Sequence, residues 1–186
     1  MRVGEARMGD RLDVRRLGTQ DAAAYTSVRR EALLSDPLAF GASIEDDFAL
    51  DADFVRRSLG DEREQAVFGY FEGDRLRGIV GLLRAAKLKQ RHGATIWGMY
   101  VSTETRRRGA GRALLDAAIA QARVWGVDHV QLSVTDAAPE ARRMYEAAGF
   151  TAWGHQPRAL GWEGRFVDES HMMLDLRGQD SSETQK

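Results

Sequence analysis

A short run of arginines and glycines is the part of this sequence best suited to chemistry. Residues 106–112 read Arg-Arg-Arg-Gly-Ala-Gly-Arg, after an apolar run at 96–101 and before a segment of helical periodicity. The first N–H groups of a helix have no intrahelical acceptor, and they lie at the positive end of the helix dipole. Glycines at 109 and 111 allow a ligand to approach the backbone closely. The segment therefore predicts a binding site for a phosphate or a pyrophosphate.

Two other phosphate-binding loops do not fit these residues. A dinucleotide-binding loop requires a third glycine at position 114 and an acidic residue about 20 positions further on. The sequence has Leu114 and Gln131 at those positions. A Walker A loop requires Gly-Lys followed by Ser or Thr, and that sequence is absent here. Both kinds of nucleotide-binding protein are excluded on these grounds.

Two segments resemble the signatures of one enzyme superfamily. Residues 99–111, Met-Tyr-Val-Ser-Thr-Glu-Thr-Arg-Arg-Arg-Gly-Ala-Gly, resemble the acetyl-CoA-binding motif of the GNAT superfamily of N-acetyltransferases. Residues 141–150, Ala-Arg-Arg-Met-Tyr-Glu-Ala-Ala-Gly-Phe, resemble its second signature, a helix that bears a tyrosine and ends in Gly-Phe. The two occur in the right order, with room for a helix and a strand between them.

The resemblance implies an α/β fold with a mixed, mostly antiparallel sheet of six or seven strands and about four flanking helices. In that fold the fourth and fifth strands part in a V, which holds the pantetheine arm of acetyl-CoA. We expect a single domain over residues 1–176 and a polar, disordered tail over residues 177–186.

The resemblance also implies which residues contact the co-substrate acetyl-CoA. They belong to a strand end and the turn after it: Met99, Tyr100, Val101, Arg106, Arg107, Arg108, Gly109, Ala110, Gly111, Arg112 and Ala113. Tyr145 is the implied catalytic residue, which would protonate the departing CoA thiolate. Its neighbours on the helix, Ala141, Met144 and Ala148, are equally typical of a tyrosine in a core, and both interpretations stay open.

The acceptor side is less well defined by the sequence. Candidate substrate contacts are Phe40, Trp97, Arg158, Asp168 and His171. Some relatives carry a glutamate as general base on the strand before the loop, where this chain has Trp97. Other candidates for the base are Glu31, Asp168, Glu169 and His171. Ala138 stands where the family often has an asparagine that contacts the pantetheine.

The expected reaction is acetyl transfer from acetyl-CoA to a primary amine of a small molecule, by direct attack in a ternary complex. A peptide or protein amine is the alternative acceptor, and a catalytically silent acyl-CoA-binding module is the alternative function. The chain has no cysteine, which excludes an acetyl-cysteine intermediate.

Composition and charge restrict the partners. The chain has 186 residues with 27 basic and 28 acidic side chains, a net charge of −1. Such a balance gives no overall field that attracts nucleic acid or membrane. We expect no metal site, no membrane span and a cytoplasmic location, and the sequence leaves a homodimer open.

Hydrophobic periodicity predicts the elements that must position these residues. Strands are predicted at 11–17, 65–71, 76–85, 94–101, 129–134, 150–158 and 166–176. A helix after Thr19 is expected to end at Asp36, because residues before proline avoid helical angles. The inner face of that helix is predicted to carry Ala24, Tyr25, Val28, Ala32 and Leu33. Further helices are predicted at 51–59, after Gly109 and after Pro139.

Overall fold

The computed structural model describes residues 12–60 and 63–177, which form a seven-stranded sheet flanked by four α-helices. The order is β1 (Asp13–Arg16), α1 (Ala22–Ser35), α2 (Ala52–Gly60), β2 (Gln65–Glu72), β3 (Arg75–Arg84), β4 (Gly93–Val101), α3 (Ala110–Val124), β5 (His129–Thr135), α4 (Pro139–Ala147), β6 (Thr151–Trp162) and β7 (Arg165–Asp175). The start of the first predicted strand at Arg11 and the predicted tail beyond Arg177 lie outside the described residues. Within the described ranges, none of the helices has the length and apolar character that crossing a bilayer requires.

The sheet is mixed, as the sequence predicted. Its strand order is β1-β2-β3-β4-β5-β7-β6. Every neighbouring pair is antiparallel except β4 and β5, which are parallel. A parallel pair needs a crossover connection, and α3 provides it.

The parallel pairing between β4 and β5 is very short. Only Gly93–Thr95 pair with His129–Gln131, although β4 continues to Val101 and β5 to Thr135. Residues 96–101 and 132–135 therefore border an unpaired opening, which we call the β4–β5 gap. The predicted V between the fourth and fifth strands is confirmed.

A β-bulge at Gly98 changes the direction of the side chains along β4. Between the pairs Gly81–Trp97 and Ile79–Tyr100, β4 contains one residue more than β3, and Gly98 has φ +62°. An extra residue reverses which face each later side chain occupies. Consequently Met99 packs with the core under α3, whereas Tyr100 packs with the core under α1.

Two apolar cores lie on opposite faces of the sheet. One contains α3 and Tyr145 of α4, and its fully buried members include Leu114, Leu115 and Met172. The other contains the inner faces of α1 and α2 against Ile79 and Tyr100. The gap lies between these two layers, so both can contribute side chains to it.

One detail of the α1 prediction is wrong. Ala24 is exposed, whereas Ala22 and Arg29 take inner positions beside Tyr25, Val28 and Ala32. The observed helix is rotated about its axis relative to the predicted one, so that an arginine lies in its apolar stripe. Arg29 becomes important below.

The start of α1 is stabilised by a carboxylate. Asp21 accepts hydrogen bonds from both terminal nitrogens of Arg15 at 2.8 Å and from the Gly18 N–H at 2.8 Å. The hydrogen bonds from Arg15 are the main reason that the pKa of Asp21 lies below its ordinary value, although burial opposes them. A group of this kind stabilises the fold above its ordinary pKa, and that stabilisation disappears as the pH falls through the lowered pKa.

We predict that Asp21→Asn lowers the free energy of unfolding at pH 7 by about 1–2 kcal/mol, because charged hydrogen bonds are lost. The difference from the wild type should begin to shrink below about pH 4, the ordinary pKa of an aspartate, and should vanish only once the pH has fallen through the lowered pKa of the folded state. Urea unfolding at several pH values measures both effects. The control is Asp53→Asn, since the Asp53 side chain is 75% exposed in its pair with Arg56 and should change stability by less than about 0.5 kcal/mol. A difference in unfolding free energy that stays constant as the pH falls below about 4 would contradict the assignment.

Candidate functional site

The turn before α3 presents a row of unpaired N–H groups. Arg107 and Gly109 have φ values of +65° and +88°, and this left-handed backbone turns the chain sharply into the helix. Within the described chain, the N–H groups of residues 107–112 donate no hydrogen bond, whereas the Ala113 N–H donates to the Gly109 carbonyl at 3.0 Å. Six consecutive donors thus lie at the positive end of a 15-residue helix, an arrangement that favours an anion.

The four arginines of this segment have different surroundings. Arg108 lies 3.4 Å from Glu72, and Arg112 lies 2.8 Å from Asp116 one turn along α3. Arg107 is exposed and forms no ion pair with the described residues. Exposed charges like these contribute a positive field rather than a fixed contact.

Arg106 points back toward the sheet. Its Nε donates to the Val101 carbonyl at 2.9 Å, and a terminal nitrogen donates to Asp36 at 2.5 Å. Its guanidinium carbon lies 5.5 Å from the centre of the Tyr100 ring. Arg106 therefore ties the turn to the end of β4 and to the end of α1.

On the α3 side, the first turn of that helix and α4 lie close together. A Cβ at Gly111 would lie 3.2 Å from Met144 Sδ and 3.8 Å from a methyl group of Val101. Any side chain at position 111 would therefore fill space between α3, α4 and the end of β4. Glycine keeps that space open.

Tyr145 is held in place by the end of α4. The Phe150 N–H donates to the Tyr145 carbonyl at 3.0 Å, and the Gly149 N–H donates to the Glu146 carbonyl at 3.0 Å. This is a Schellman motif, and it brings the rings of Tyr145 and Phe150 to 5.9 Å. Tyr145 is only 5% exposed, and burial raises its pKa, so the phenol stays neutral and is a donor. Among the described residues, its hydroxyl has no hydrogen-bond partner.

On the α1 side, Tyr100 begins a polar network. Its hydroxyl lies 3.0 Å from both Ser35 Oγ and a Glu31 carboxylate oxygen. Burial raises the pKa of Tyr100, and its ring lies 6.4 Å from that of Phe40. The network leads from the end of β4 to the surface carboxylate of Glu31.

The predicted acceptor residues do not all meet in one place. Phe40 lines an open groove of about 580 Å³ between the loop after α1 and residues 159–163, at the end of β6 and the turn after it. Trp97 lies on the same face of the sheet, over Gly81, and borders a small cavity of about 30 Å³ with Tyr25.

The remaining predicted acceptor residues lie on β6 and β7. Asp168 accepts a hydrogen bond from the Arg158 N–H at 2.8 Å and lies 3.2 Å from His155. Because Arg158 has φ +53°, Asp168 supports an irregular backbone there. His171 lies 2.8 Å from Ser133 and stacks on Trp153. The structure brings Arg158 and Asp168 together but separates them from the Trp97 cavity.

Two polar groups near the gap were not recognised as a site from the sequence. Arg29 is 7% exposed, and its Nε donates to Asp47 at 2.7 Å. Thr135, at the end of β5, donates through its hydroxyl to the Leu38 carbonyl at 2.9 Å. The sequence contains one signal for Arg29. It lies four residues after Tyr25 and three before Ala32, so helical spacing places this charged residue on the apolar face of the helix.

Comparison with known proteins identifies the family. The model of the acetyltransferase (GNAT) family matches residues 28–150, so this chain belongs to that family of acyltransferases. Mycothiol acetyltransferase from Thermobispora bispora is 37% identical over 90 residues, which cover 46% of this chain and 30% of that protein. The chain thus matches less than a third of that relative's length.

Solved structures show the same fold. The acetyltransferase of the GNAT family from Streptococcus pneumoniae has a TM-score of 0.79 at 24% identity, covering 89% of this chain and 100% of that one. The protein yncA from Salmonella typhimurium, determined with its cofactor acetyl-CoA, has a TM-score of 0.76 at 22% identity, with coverages of 90% and 95%. The expected GNAT fold is confirmed.

Removal of the hydroxyl group should affect stability differently at the two tyrosines of the site. Tyr145→Phe should change the free energy of unfolding by less than about 0.5 kcal/mol, because the lost hydroxyl has no partner in the described chain. Tyr100→Phe should cost about 1 kcal/mol or more, because it removes two hydrogen bonds. Chemical denaturation of both variants measures this contrast. A larger loss for Tyr145→Phe than for Tyr100→Phe would show that the Tyr145 hydroxyl is structural.

Proposed function

We propose that this chain is an acetyl-CoA-dependent N-acetyltransferase that acetylates a primary amine of a small molecule by direct attack in a ternary complex. The observation that carries the proposal is the β4–β5 gap. Beside it, the turn before α3 supplies six N–H groups that donate to no described residue, and α4 supplies Tyr145, a buried tyrosine whose hydroxyl has no hydrogen-bond partner within the described chain.

In this proposal, the backbone of residues 107–112 binds the pyrophosphate of acetyl-CoA. Backbone N–H donors and the positive end of a helix dipole suit a phosphate group. Gly111 leaves room for that group beside Met144. Arg107, Arg108 and Arg112 add positive charge around the turn. Arg106 has a positioning role, because it is engaged by Asp36 and by the carbonyl of Val101.

The unpaired edge of β4 receives the pantetheine arm and the thioester. Within the described chain, residues 96–101 have no strand partner on the β5 side, so the backbone groups on that side, apart from the Val101 carbonyl that Arg106 engages, are available to a ligand that enters there. A backbone N–H that faces the thioester oxygen stabilises the negative charge that develops as the amine attacks. Met99, Tyr100 and Val101 are the proposed contacts.

Tyr145 is the proposed general acid. Its pKa is raised by burial, so it carries a proton at neutral pH and can donate that proton to the departing thiolate. A thiol has an ordinary pKa of ~8.5, which makes the thiolate a tolerable leaving group. The contribution of Tyr145 is therefore expected to be modest.

The attacking amine must lose a proton before or during attack. Glu31 is the best supported of the candidate bases, because the Tyr100 hydroxyl connects it with the end of β4 at 3.0 Å. Asp168 and His171 are engaged with Arg158 and Ser133 respectively. The network of Tyr100 and Glu31 offers a route for the proton to the solvent.

A peptide amine is the second candidate acceptor. The groove lined by Phe40, Leu160 and Trp162 is open, with a volume of about 580 Å³, and Glu45 and Glu163 also line it. The Tyr145 hydroxyl has no hydrogen-bond partner among residues 12–60 and 63–177, which disfavours a catalytically silent module. The cytoplasmic location and the homodimer remain predictions from the sequence.

We predict that Gly111→Val weakens acetyl-CoA binding by at least about tenfold, or ~1.4 kcal/mol. The added methyl groups would occupy the space between Met144 and Val101 at the mouth of the gap. Isothermal titration calorimetry with acetyl-CoA measures the affinity. Gly60→Val, at the exposed end of α2 on the opposite face of the sheet, is the control and should bind like the wild type. Equal affinities for the two folded variants would remove the turn from the binding site.

We predict that Tyr145→Phe lowers kcat by about 10²-fold, the low end of general-acid effects, while the affinity for acetyl-CoA stays within about twofold. The interaction strengthens only as the thiolate departs, so the loss belongs to the chemical step. Single-turnover kinetics, with acetyl-CoA and an amine that the wild type acetylates, separate the chemical step from binding. If chemistry proceeds at the wild-type rate, a solvent molecule protonates the thiolate and Tyr145 is a core residue.

A further inference from the structure

We propose that Arg29 binds a carboxylate of the acceptor, so that the amine acetylated by this chain belongs to an amino acid or a similar amino carboxylate. This inference rests on the proposed acetyltransferase function and names its substrate class.

Arg29 is a buried cation with unused donors. Its side chain is 8% exposed, and its Nε donates to Asp47 at 2.7 Å. The terminal nitrogen Nη1 is fully buried and has no hydrogen-bond partner among the described residues. A buried donor without an acceptor costs free energy. An anion beside the free edge of the guanidinium would remove that cost.

The neighbour Asp47 forms no hydrogen bond with Arg29 Nη1. One carboxylate oxygen of Asp47 accepts from Arg29 Nε, and the other accepts from the Ala49 N–H at 2.8 Å. A guanidinium has five N–H donors and can bind two carboxylates on different edges. Asp47 therefore orients Arg29 and does not use up its capacity.

Nearby groups on the same helix do not compete for this charge. Tyr25 lies one turn before Arg29, and burial raises its pKa to about 12, so it is a neutral phenol at physiological pH. Arg30, the next residue, is exposed. Arg29 is thus a cation on the inner face of α1, beside a neutral neighbour.

The free edge of Arg29 lies next to the reacting end of the gap. A Cβ at Gly98 would lie 3.9 Å from Arg29 Nη1, and Gly98 forms the bulge just before Met99, Tyr100 and Val101. The Arg29 guanidinium carbon lies 4.8 Å from the centre of the Phe40 ring. Phe40 in turn contacts Tyr100 and lines the open groove. An acceptor that enters from the groove can place its amine near β4 and its anionic group at Arg29.

A carboxylate suits this position better than a phosphate. Carboxylates match the planar edge of a guanidinium with two parallel hydrogen bonds. The carboxylate of Asp47 already lies beside Arg29, and a doubly charged phosphate would be repelled by it more strongly. The amino group and the carboxylate of an amino acid are close enough to reach β4 and Arg29 together.

The test compares each amino acid with its own carboxamide as acceptor. Release of free CoA from acetyl-CoA is measured with the proteinogenic amino acids as free acids and as amides, for the wild type and for Arg29→Gln, Arg30→Gln and Asp47→Asn. For the best acceptor, kcat/KM of the free acid should exceed that of the amide by at least about tenfold, since hydrogen bonds between charged groups are strong. Arg29→Gln should reduce this ratio to about one, because it removes the charge.

The other two variants separate recognition from structure. Arg30→Gln, the matched control, should keep the wild-type ratio. Asp47→Asn should keep or increase it, because it removes a competing anion and retains the Arg29 cation. A wild-type ratio near one, an unchanged ratio in a folded Arg29→Gln variant, or an equal loss in Asp47→Asn would overturn the proposal. If Arg29→Gln fails to fold, the wild-type and Asp47→Asn ratios decide.

Binding distinguishes this inference from the proposed function. Saturation-transfer NMR in the presence of CoA, with the amino acids and their amides as probes, reports recognition of the carboxylate without catalysis. Acetylation of amides and acids at equal rates would refute the inference and leave the acetyltransferase function intact. Binding of free acids that is lost in Arg29→Gln, without any acetyl transfer, would refute the proposed function and support the role of Arg29.

Discussion

The early end of the parallel pairing between β4 and β5 is the constraint on which the rest of this structure depends. Three residue pairs join the strands, and after them each strand has backbone groups without a partner strand. Buried backbone groups need hydrogen bonds, and the surrounding elements supply several. Arg106 donates to the carbonyl of Val101 beside the gap, while the Thr135 hydroxyl connects β5 to the loop after α1. What remains is the β4–β5 gap, which lies between the cores on the two faces of the sheet.

The two faces of that cleft differ in chemistry. On the α3 and α4 face, the buried side chains form an apolar core, and the groups we assign there are the N–H donors of the turn before α3 and the neutral hydroxyl of Tyr145. On the α1 face lie charged groups, among them Glu31 and the pair of Arg29 and Asp47. Side chains alternate between the two faces along β4, and the bulge at Gly98 sets which face each later residue occupies, so that Met99 packs in one core and Tyr100 in the other. A thioester on one side and a charged acceptor on the other can then meet at the same strand.

Much of the fold and part of the site could be predicted from the sequence. Alternation and helical spacing gave strand and helix positions close to those observed, and the Arg-x-x-Gly-x-Gly spacing with the later Tyr and Gly-Phe identified the family. These features are local, so the sequence alone contains them. The direction of Arg106 could not be predicted, because its partners Asp36 and Val101 meet it only in the folded chain. The hydrogen bond from the Arg158 N–H to Asp168 could not be predicted either, because it joins residues of two different strands.

The buried face of α1 shows the same limit of prediction from local sequence. Predicting the inner face of α1 from apolar residues alone placed Ala24 inward, but the observed face contains Arg29 because Asp47, 18 residues further on, offers it a buried partner. Ion pairs between distant segments change which residues a helix buries, and periodicity does not report them. The charged residue inside an apolar stripe was the one local sign of this exception.

The central claim, that the β4–β5 gap is the acetyl-CoA site, is tested most directly by an NMR titration of the ¹⁵N-labelled protein with acetyl-CoA. Binding in the gap would shift the amide signals of residues 107–112 at the turn and of residues 96–101 on the unpaired edge of β4. The amides of residues 87–91, in the connection between β3 and β4 at the opposite end of that hairpin from Val101, would keep their positions. Shifts confined to surface residues outside the gap, or no saturable shift at all, would contradict the account.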